Sequence, residues 1–236
     1  MRQDMRQANK LSACQSRMEI AFAGEPVILD ASGALFLAEH GTLVVADLHL
    51  EKGSFFAARG NPVPRHDTRD TLQRLGAAIE HFGPQTVICL GDSFHDIGAG
   101  ERMALPDSLA LQKLVAKVGS WIWLTGNHDP QIPAAFGGAT AGLHTAGALN
   151  LAHLPETPVR PLIAGHYHPK MSLSLANGRI SGRCFLCGEA LLLMPAFGAY
   201  AGGLDVRDPA LTALFPEGTR RPVLSYRGKL WTVALD

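Results

Sequence analysis

Three short apolar runs, each halted by a polar cluster, restrict this chain more than any other feature. Thr42–Ala46 (TLVVA) runs into Asp47-Leu48-His49, Thr86–Leu90 (TVICL) into Gly91-Asp92, and Trp121–Leu124 (WIWL) into Gly126-Asn127-His128-Asp129. Continuous apolar runs of this length suit strands buried on both faces. Two helical patterns lie between them. Asp67–Phe82 places Leu72, Leu75, Ile79 and Phe82 at helical spacing, with Asp67 or Thr68 as cap and Gly83-Pro84 as stop. Pro106–Val118 is the second. Strand, helix, strand, helix, strand is the pattern of a parallel sheet.

The flanks add strands. Met18–Leu29 and Ala34–Ala38 are apolar segments broken at Gly24-Glu25-Pro26 and Ala31-Ser32-Gly33. Leu149–His153, Leu162–Ala164, Met171–Leu175, Arg179–Phe185, Ala190–Met194, Val223–Tyr226 and Leu230–Val233 read as short strands, with Asn177-Gly178 as a hairpin turn. The expected fold is α/β, with two packed sheets and helices outside. Residues 1–17 read as a mobile tail and 18–236 as a single domain, within the size that layered folds reach as one unit.

Composition narrows the compartment and the partners. No apolar run reaches the ~18 residues needed to cross a bilayer. Met1 to Arg17 is polar and has no apolar signal core. Four scattered cysteines do not make a disulfide scaffold, so a reduced, cytoplasmic setting is expected. Lys plus Arg equals Asp plus Glu at 21 each, which argues against a chain-wide basic coat but leaves a local basic groove open. Ten histidines against three tyrosines raise the question of metal.

In open α/β sheets, ligands gather beyond the carboxyl ends of strands. A fourth strand end, Leu162–Ala164, runs into Gly165-His166-Tyr167-His168. Asp47/His49 and His166/His168 are i, i+2 pairs, and in extended chain both members of a pair project to one side. A mixed Asp/Asn/His set suits Mn²⁺, Fe or Zn²⁺. These are too many ligands for one ion; two ions about 3.5–4 Å apart that share a carboxylate would use them all.

D-x-H, GD, GNHD, a lone His and GHxH, in that order from Thr42 to Pro169, resemble the binuclear metallophosphoesterases of the calcineurin-like superfamily. The resemblance implies a four-layer α/β/β/α sandwich. It makes Asp47, His49 and His168 ligands of a first metal, Asp92 the bridge, and Asn127, His153 and His166 ligands of a second. His153 is preferred to His144 as the lone histidine because it closes an alternating strand. A metal-bridging hydroxide would attack phosphorus in line, with His128 as the acid at the leaving oxygen and Asp129 orienting it. His95 and Asp96 are candidates for substrate contact or support. Ser/Thr phosphatases of this class carry arginine just after GD and just before GNH. Neither is present here, which disfavours that substrate class. The presence of His128 disfavours a pure scaffold.

DLHLEKG (Asp47–Gly53), Arg59-Gly60, Asp67-Thr68-Arg69, GDSFHD (Gly91–Asp96), WIWLTGNHDP (Trp121–Pro130), GHYHP (Gly165–Pro169), RCF (Arg183–Phe185) and PAFGAYAGGLDV (Pro195–Val206) resemble the bacterial ligase-associated DNA damage response endonuclease family PdeM. That resemblance implies a Mn²⁺-dependent endonuclease for DNA repair, a hydrolase that cuts unpaired or single-stranded DNA beside a DNA ligase, a helicase and an exonuclease-like partner. Two Mn²⁺ ions are the implied cofactor, with Fe or Zn²⁺ allowed by ligand type. Lys52, Arg59, Arg65, His95 and Arg183 are the candidate substrate-binding residues. Arg69, Arg102 and Lys170 are further cations for a groove, and Phe55, Phe56 and Phe94 are candidates for stacking on unpaired bases. The rival reading keeps the metals and makes the chain a small-molecule phosphodiesterase or phosphomonoesterase. A third makes it an assembly subunit.

Blander readings stand beside these. The basic residues after Asp47 also suit an ordinary solvated surface. His40, His66, His81 and His144 read as surface or packing residues. Cys184-x-x-Cys187 lacks a second ligand pair for zinc and reads as two strand residues. PAFGAYAGGLDV lacks P-loop spacing and reads as a Gly-rich turn crossing near the site.

Overall fold

The computed structural model describes residues 11–13, 15–61, 63–64, 66–175, 178–215 and 219–235. The first sheet has the strand order β2-β3-β4-β5-β6-β7-β8. Its members are β2 (Arg17–Phe22), β3 (Glu25–Asp30), β4 (Leu35–Leu37), β5 (Thr42–Val45), β6 (Thr86–Leu90), β7 (Ser120–Leu124) and β8 (Ala139–Ala141). The second runs β1-β16-β15-β13-β14-β11-β10-β9, with β12 paired to β13. It comprises β1 (Leu11–Ala13), β9 (Leu143–Ala146), β10 (Leu149–Ala152), β11 (Leu162–Ala164), β12 (Lys170–Leu175), β13 (Gly178–Cys187), β14 (Leu191–Leu193), β15 (Arg221–Tyr226) and β16 (Lys229–Val233). The helices are α1 (Lys52–Ala58), α2 (Asp67–Phe82), α3 (Ala99–Arg102), α4 (Leu105–Lys117) and α5 (Pro209–Thr212).

The two-sided burial expected of the apolar runs is met residue by residue. Along β5 and β6, Leu43, Val45, Val87 and Cys89 pack toward α2 and α4, while Val44, Ile88 and Leu90 face the second sheet. The second sheet mirrors this. Phe185, Cys187 and Ile163 join the core between the sheets, while Cys184, Leu186, Leu162 and Ala164 face outward under Val206, Leu211 and Phe215. Period-two alternation therefore feeds three apolar layers. Truncating a side chain such as Ile88 to Ala in such a core costs about 2–5 kcal/mol. The outermost layer on the second sheet is thin. Its helix, α5, has only four residues.

α2 spans the residues expected from its periodicity and ends at Gly83, whose left-handed backbone lets its N–H reach Ile79 O. Asp67 and Thr68 do not cap it. His66 occupies the cap position without a side-chain bond, and Asp67 and Thr68 anchor α1 instead. Asp67 accepts from the Gly53 N–H at 2.9 Å; the Thr68 hydroxyl accepts from the Glu51 N–H at 2.8 Å and donates to the Glu51 carboxylate at 2.9 Å. β1 pairs with β16 inside the span read as a tail, while residues 1–10 and Cys14 lie outside the described residues. The expected hairpin joins β12 and β13, with Leu175 opposite Gly178; Asn177 lies outside the described residues. Cys184 and Cys187 are free and buried, on opposite faces of β13. Among the described residues no helix is long and apolar enough to cross a membrane.

Candidate active site

β5, β6 and β7 run parallel in one sheet, and β10, β11 and β14 in the other. The strand ends from both sheets meet. Asp47, just past β5, is fully buried and accepts from the His166 N–H, just past β11, at 3.1 and 3.2 Å. His168 Nε2 lies 3.2 Å from Asp47 Oδ1 and 3.2 Å from His49 Nε2. Asp92 Oδ2 lies 3.4 Å from His153 Nε2, which is 2.9 Å from Asn127 Oδ1 and 3.2 Å from His166 Nδ1. His153 Nδ1 is 3.7 Å from Asp47 Oδ1 and joins the two halves. Asp47, His49 and His168 thus form one potential ligand group, and Asp92, His153 and His166 a second, each with donor atoms within 4.8 Å of one another. His144 sits apart, in β9 opposite Leu151.

The pairs do not converge through extended chain, as their spacing suggested. Asp47, His49, Asp92, His166 and His168 have φ of 54°, 44°, 47°, 74° and 48°. Each is in the left-handed region, which costs a non-glycine residue of order 1–3 kcal/mol and persists only when the surroundings over-determine it. The chain turns sharply at each of these residues to aim it inward. The restraining bonds include the His49 N–H to Asp92 O at 2.9 Å and the Gly198 N–H to Asp47 O at 3.1 Å. The Gly198 bond brings the Gly-rich turn across the site, as expected.

The donor chemistry fits a pair of divalent cations. His153 Nδ1 is 2.9 Å from the Leu90 carbonyl, which can only accept, so Nδ1 carries a proton and Nε2 faces the Asp92 and Asn127 oxygens. His49 Nδ1 is buried and has no hydrogen-bond partner among the described residues. Burial and the neighbouring His168 push His49 down to about 2, leaving a neutral imidazole. For His153 burial acts in the same sense, but the Asp92 hydrogen bond and the Asp47 and Asp92 charges override it and lift it to about 9. Burial works against ionisation of Asp92, yet the His153 hydrogen bond and charge hold it at about 2. The cluster therefore concentrates negative charge and draws a proton to a nitrogen where a cation would bind.

The expected partnership between Asp129 and His128 is not made. Asp129 is buried, and both its oxygens are occupied by backbone. Oδ1 accepts from Asp92 and Gly126 at 2.9 Å each, and Oδ2 from Ser93 at 2.7 Å and Phe94 at 3.1 Å. A carboxylate with four amide donors has no lone pair left for the imidazole. Gly126 is required beside it, because a Cβ there would collide with the Asp92 carboxylate. His128 is oriented instead by the His95 carbonyl, 2.8 Å from its Nδ1. The His95 ring stacks on His128, with centroids 5.2 Å apart at 20°. His128 is exposed, and His49, His95 and His128 also bring donor nitrogens within 4.8 Å.

The substrate-binding candidates divide. Lys52 opens α1, half-buried, and its charge acts on both His49 and His95. Arg59 is exposed, its guanidinium 3.5 Å from the centroid of Phe55, whose ring packs edge-on against His95 at 4.5 Å. Arg65 lies outside the described residues. Arg183 is a brace rather than a groove residue. It donates to Gly198 O at 2.6 Å and to Ser32 O at 3.4 Å, and burial beside Arg74 pushes it down to about 10. Arg102 donates to the Asp96 carboxylate and to the Ser54 hydroxyl, so Arg102 and Asp96 are paired with each other. Lys170 donates to Ala201 O at 3.1 Å. Phe94 is no stacking platform; it is 1% exposed and stacks on Phe136 inside the core. Sequence reading missed Arg74, which donates to Phe197 O and lies over the Phe197 ring. Nothing in its spacing marks it, because its partner is a backbone atom 123 residues away.

A family model described as calcineurin-like phosphoesterase matches residues 41–180. Among solved structures, the nuclease MPE of Pseudomonas putida superposes with a TM-score of 0.72 at 24% identity, covering 92% of this chain and 100% of that one. A phosphoesterase from E. coli gives a TM-score of 0.36 at 17% identity, over 79% of this chain and 88% of that one. No curated protein matches the chain.

Proposed function

The chain belongs to the calcineurin-like phosphoesterase family, and from that premise we propose that it is a Mn²⁺-dependent endonuclease cutting unpaired DNA in repair. The observation that carries the hydrolytic reading is the convergence of Asp47 and His166 from opposite sheets onto one cluster. The DNA reading is supported by the sequence blocks shared with the PdeM-type endonucleases. It is further supported by the name of the P. putida nuclease, which this chain matches in fold, and by Lys52 and Arg59 beside the cluster.

Asp47, His49 and His168 would hold one cation, and Asn127, His153 and His166 the other, with Asp92 serving both. When bound, such a pair supplies Lewis-acid charge at the phosphoryl oxygens and lowers the pKa of the attacking water. His128 has its Nδ1 proton fixed on the His95 carbonyl, so Nε2 is the free nitrogen, and from the imidazolium it would deliver its proton to the leaving oxygen and leave the neutral ring. Lys52 neutralises phosphate charge at the mouth of the site. Phe55, with Arg59 above it, offers an aromatic face to a base. His95 contributes its ring to the same wall. A DNA ligase, a helicase and an exonuclease-like protein are the proposed partners.

The test is a Mn²⁺ nuclease assay on single-stranded, duplex and flap DNA, with His128→Ala as control. Cleavage of single-stranded DNA that vanishes in His128→Ala supports the reading. Uncut single-stranded DNA, with small phosphodiesters hydrolysed, replaces it with the small-molecule reading.

A further inference from the structure

The loops that carry His95 and His128 both continue into a groove of about 390 Å³ that plays no part in the chemistry above. One wall is Ile97, two residues past His95; the other is Ile132 and Pro133, a few residues past His128. The floor is Phe136, held by stacking on Phe94 at 5.2 Å. Ile97 is 78% exposed, the highest value of any large hydrophobic residue described. A bare isoleucine beside a reaction centre has no folding role to explain it, since it buries almost nothing. Gly100 keeps the floor open: a Cβ there would come within 3.1 Å of Pro133 Cγ.

The charge pattern identifies what fits. Among the described residues no Lys or Arg lines the groove and Glu101 is the only charged one, so it would not hold a phosphate. Apolar walls with Glu101 and Gln131 at the rim suit an uncharged, flat, partly polar group. Aliphatic side chains wedge between unstacked bases, and a glutamate accepts from an exocyclic amino group. The groove begins at Ile97, two residues past His95, whose ring stacks on His128, on the side from which the leaving oxygen would depart.

We propose that this groove holds the first unpaired base on the leaving-group side of the scissile phosphodiester, with Ile97 as the wedge. The proposal rests on the DNA reading of the site. It gives the enzyme a physical reason to prefer unpaired DNA: a base in a duplex cannot enter without being unstacked.

The experiment measures anisotropy of a labelled single-stranded oligonucleotide in EDTA, and Mn²⁺-dependent cleavage of that strand and of bis-p-nitrophenyl phosphate. Wild type, Ile97→Ser, Glu101→Gln and, as a surface control, Leu143→Ser are compared, with folding checked by thermal melts. Ile97→Ser is expected to weaken strand binding roughly tenfold. Its ratio of DNA to small-diester cleavage should fall by a similar factor. A single abasic site placed successively along the strand should abolish the difference between wild type and Ile97→Ser at one position only. Ile97→Ser that matches wild type on the strand overturns the proposal while leaving the nuclease reading intact. Equal losses on both substrates also overturn it, because they mark a structural role. Wild type that neither binds nor cuts the strand removes the nuclease reading, and the base groove with it.

Discussion

The Asp129 carboxylate accepts the backbone N–H of Asp92 at 2.9 Å, so the GNHD loop and the loop carrying the central carboxylate are locked together. The three further amides on Asp129 make it the hub of both loops. Hydrogen bonds to a charged group contribute about 1.5–3 kcal/mol each. Asp129→Asn keeps the size but converts one oxygen to a donor facing amide donors. The expected outcome is a loss of at least ~2 kcal/mol in denaturant unfolding, together with a large loss of phosphodiesterase activity.

His128 is expected to behave differently. His128→Ala removes a proton donor that lies edge-on to His49, with centroids 5.2 Å apart, but is not itself one of the proposed metal ligands. Cleavage of DNA should fall by about 10²–10⁴-fold. Metal content, measured by elemental analysis, should stay at the wild-type value. A matching loss of metal would assign His128 to the metal set instead.

Arg183 separates a brace from a groove. Arg183→Met should cost about 2 kcal/mol through the lost bonds to Gly198 O and Ser32 O. That corresponds to a fall of about 4–8 °C in melting temperature for a chain of this size. The salt dependence of DNA binding should not change, because this guanidinium does not face the substrate.

Lys52 should give the opposite result. Lys52→Ala is expected to leave melting nearly unchanged and to lower the slope of log affinity against log salt by about one, as for the loss of one phosphate contact. Wild-type cleavage of DNA should fall steeply with salt, while hydrolysis of a small diester should not.

These contrasts show what was legible beforehand. The ends of β5, β6, β7 and β11 were readable because buried strands are continuous apolar runs, and Asp, Asn and His at their carboxyl ends have no packing role. His153 was separable from His144 by the same logic. The roles of Asp129 and Arg183 were not readable, because both bond to backbone atoms, which leave no trace in residue identity. The left-handed turns at Asp47 and His168 were hidden for a related reason: bonds from distant chain hold those residues there, against their intrinsic preference. β8 and β9 were missed because Ala139–Ala141 and Leu143–Ala146 are short and mostly exposed, with no apolar run to mark them.

Asp92 lies with His153 and His166 in the second ligand group, and the proposed function gives its carboxylate to both cations. Metal stoichiometry of purified wild type and Asp92→Ala, measured by plasma mass spectrometry after loading with Mn²⁺, tests this most directly. The expected result is two ions per chain for wild type and fewer than one for Asp92→Ala. Two ions retained in Asp92→Ala would contradict the shared-carboxylate centre on which the proposed chemistry depends.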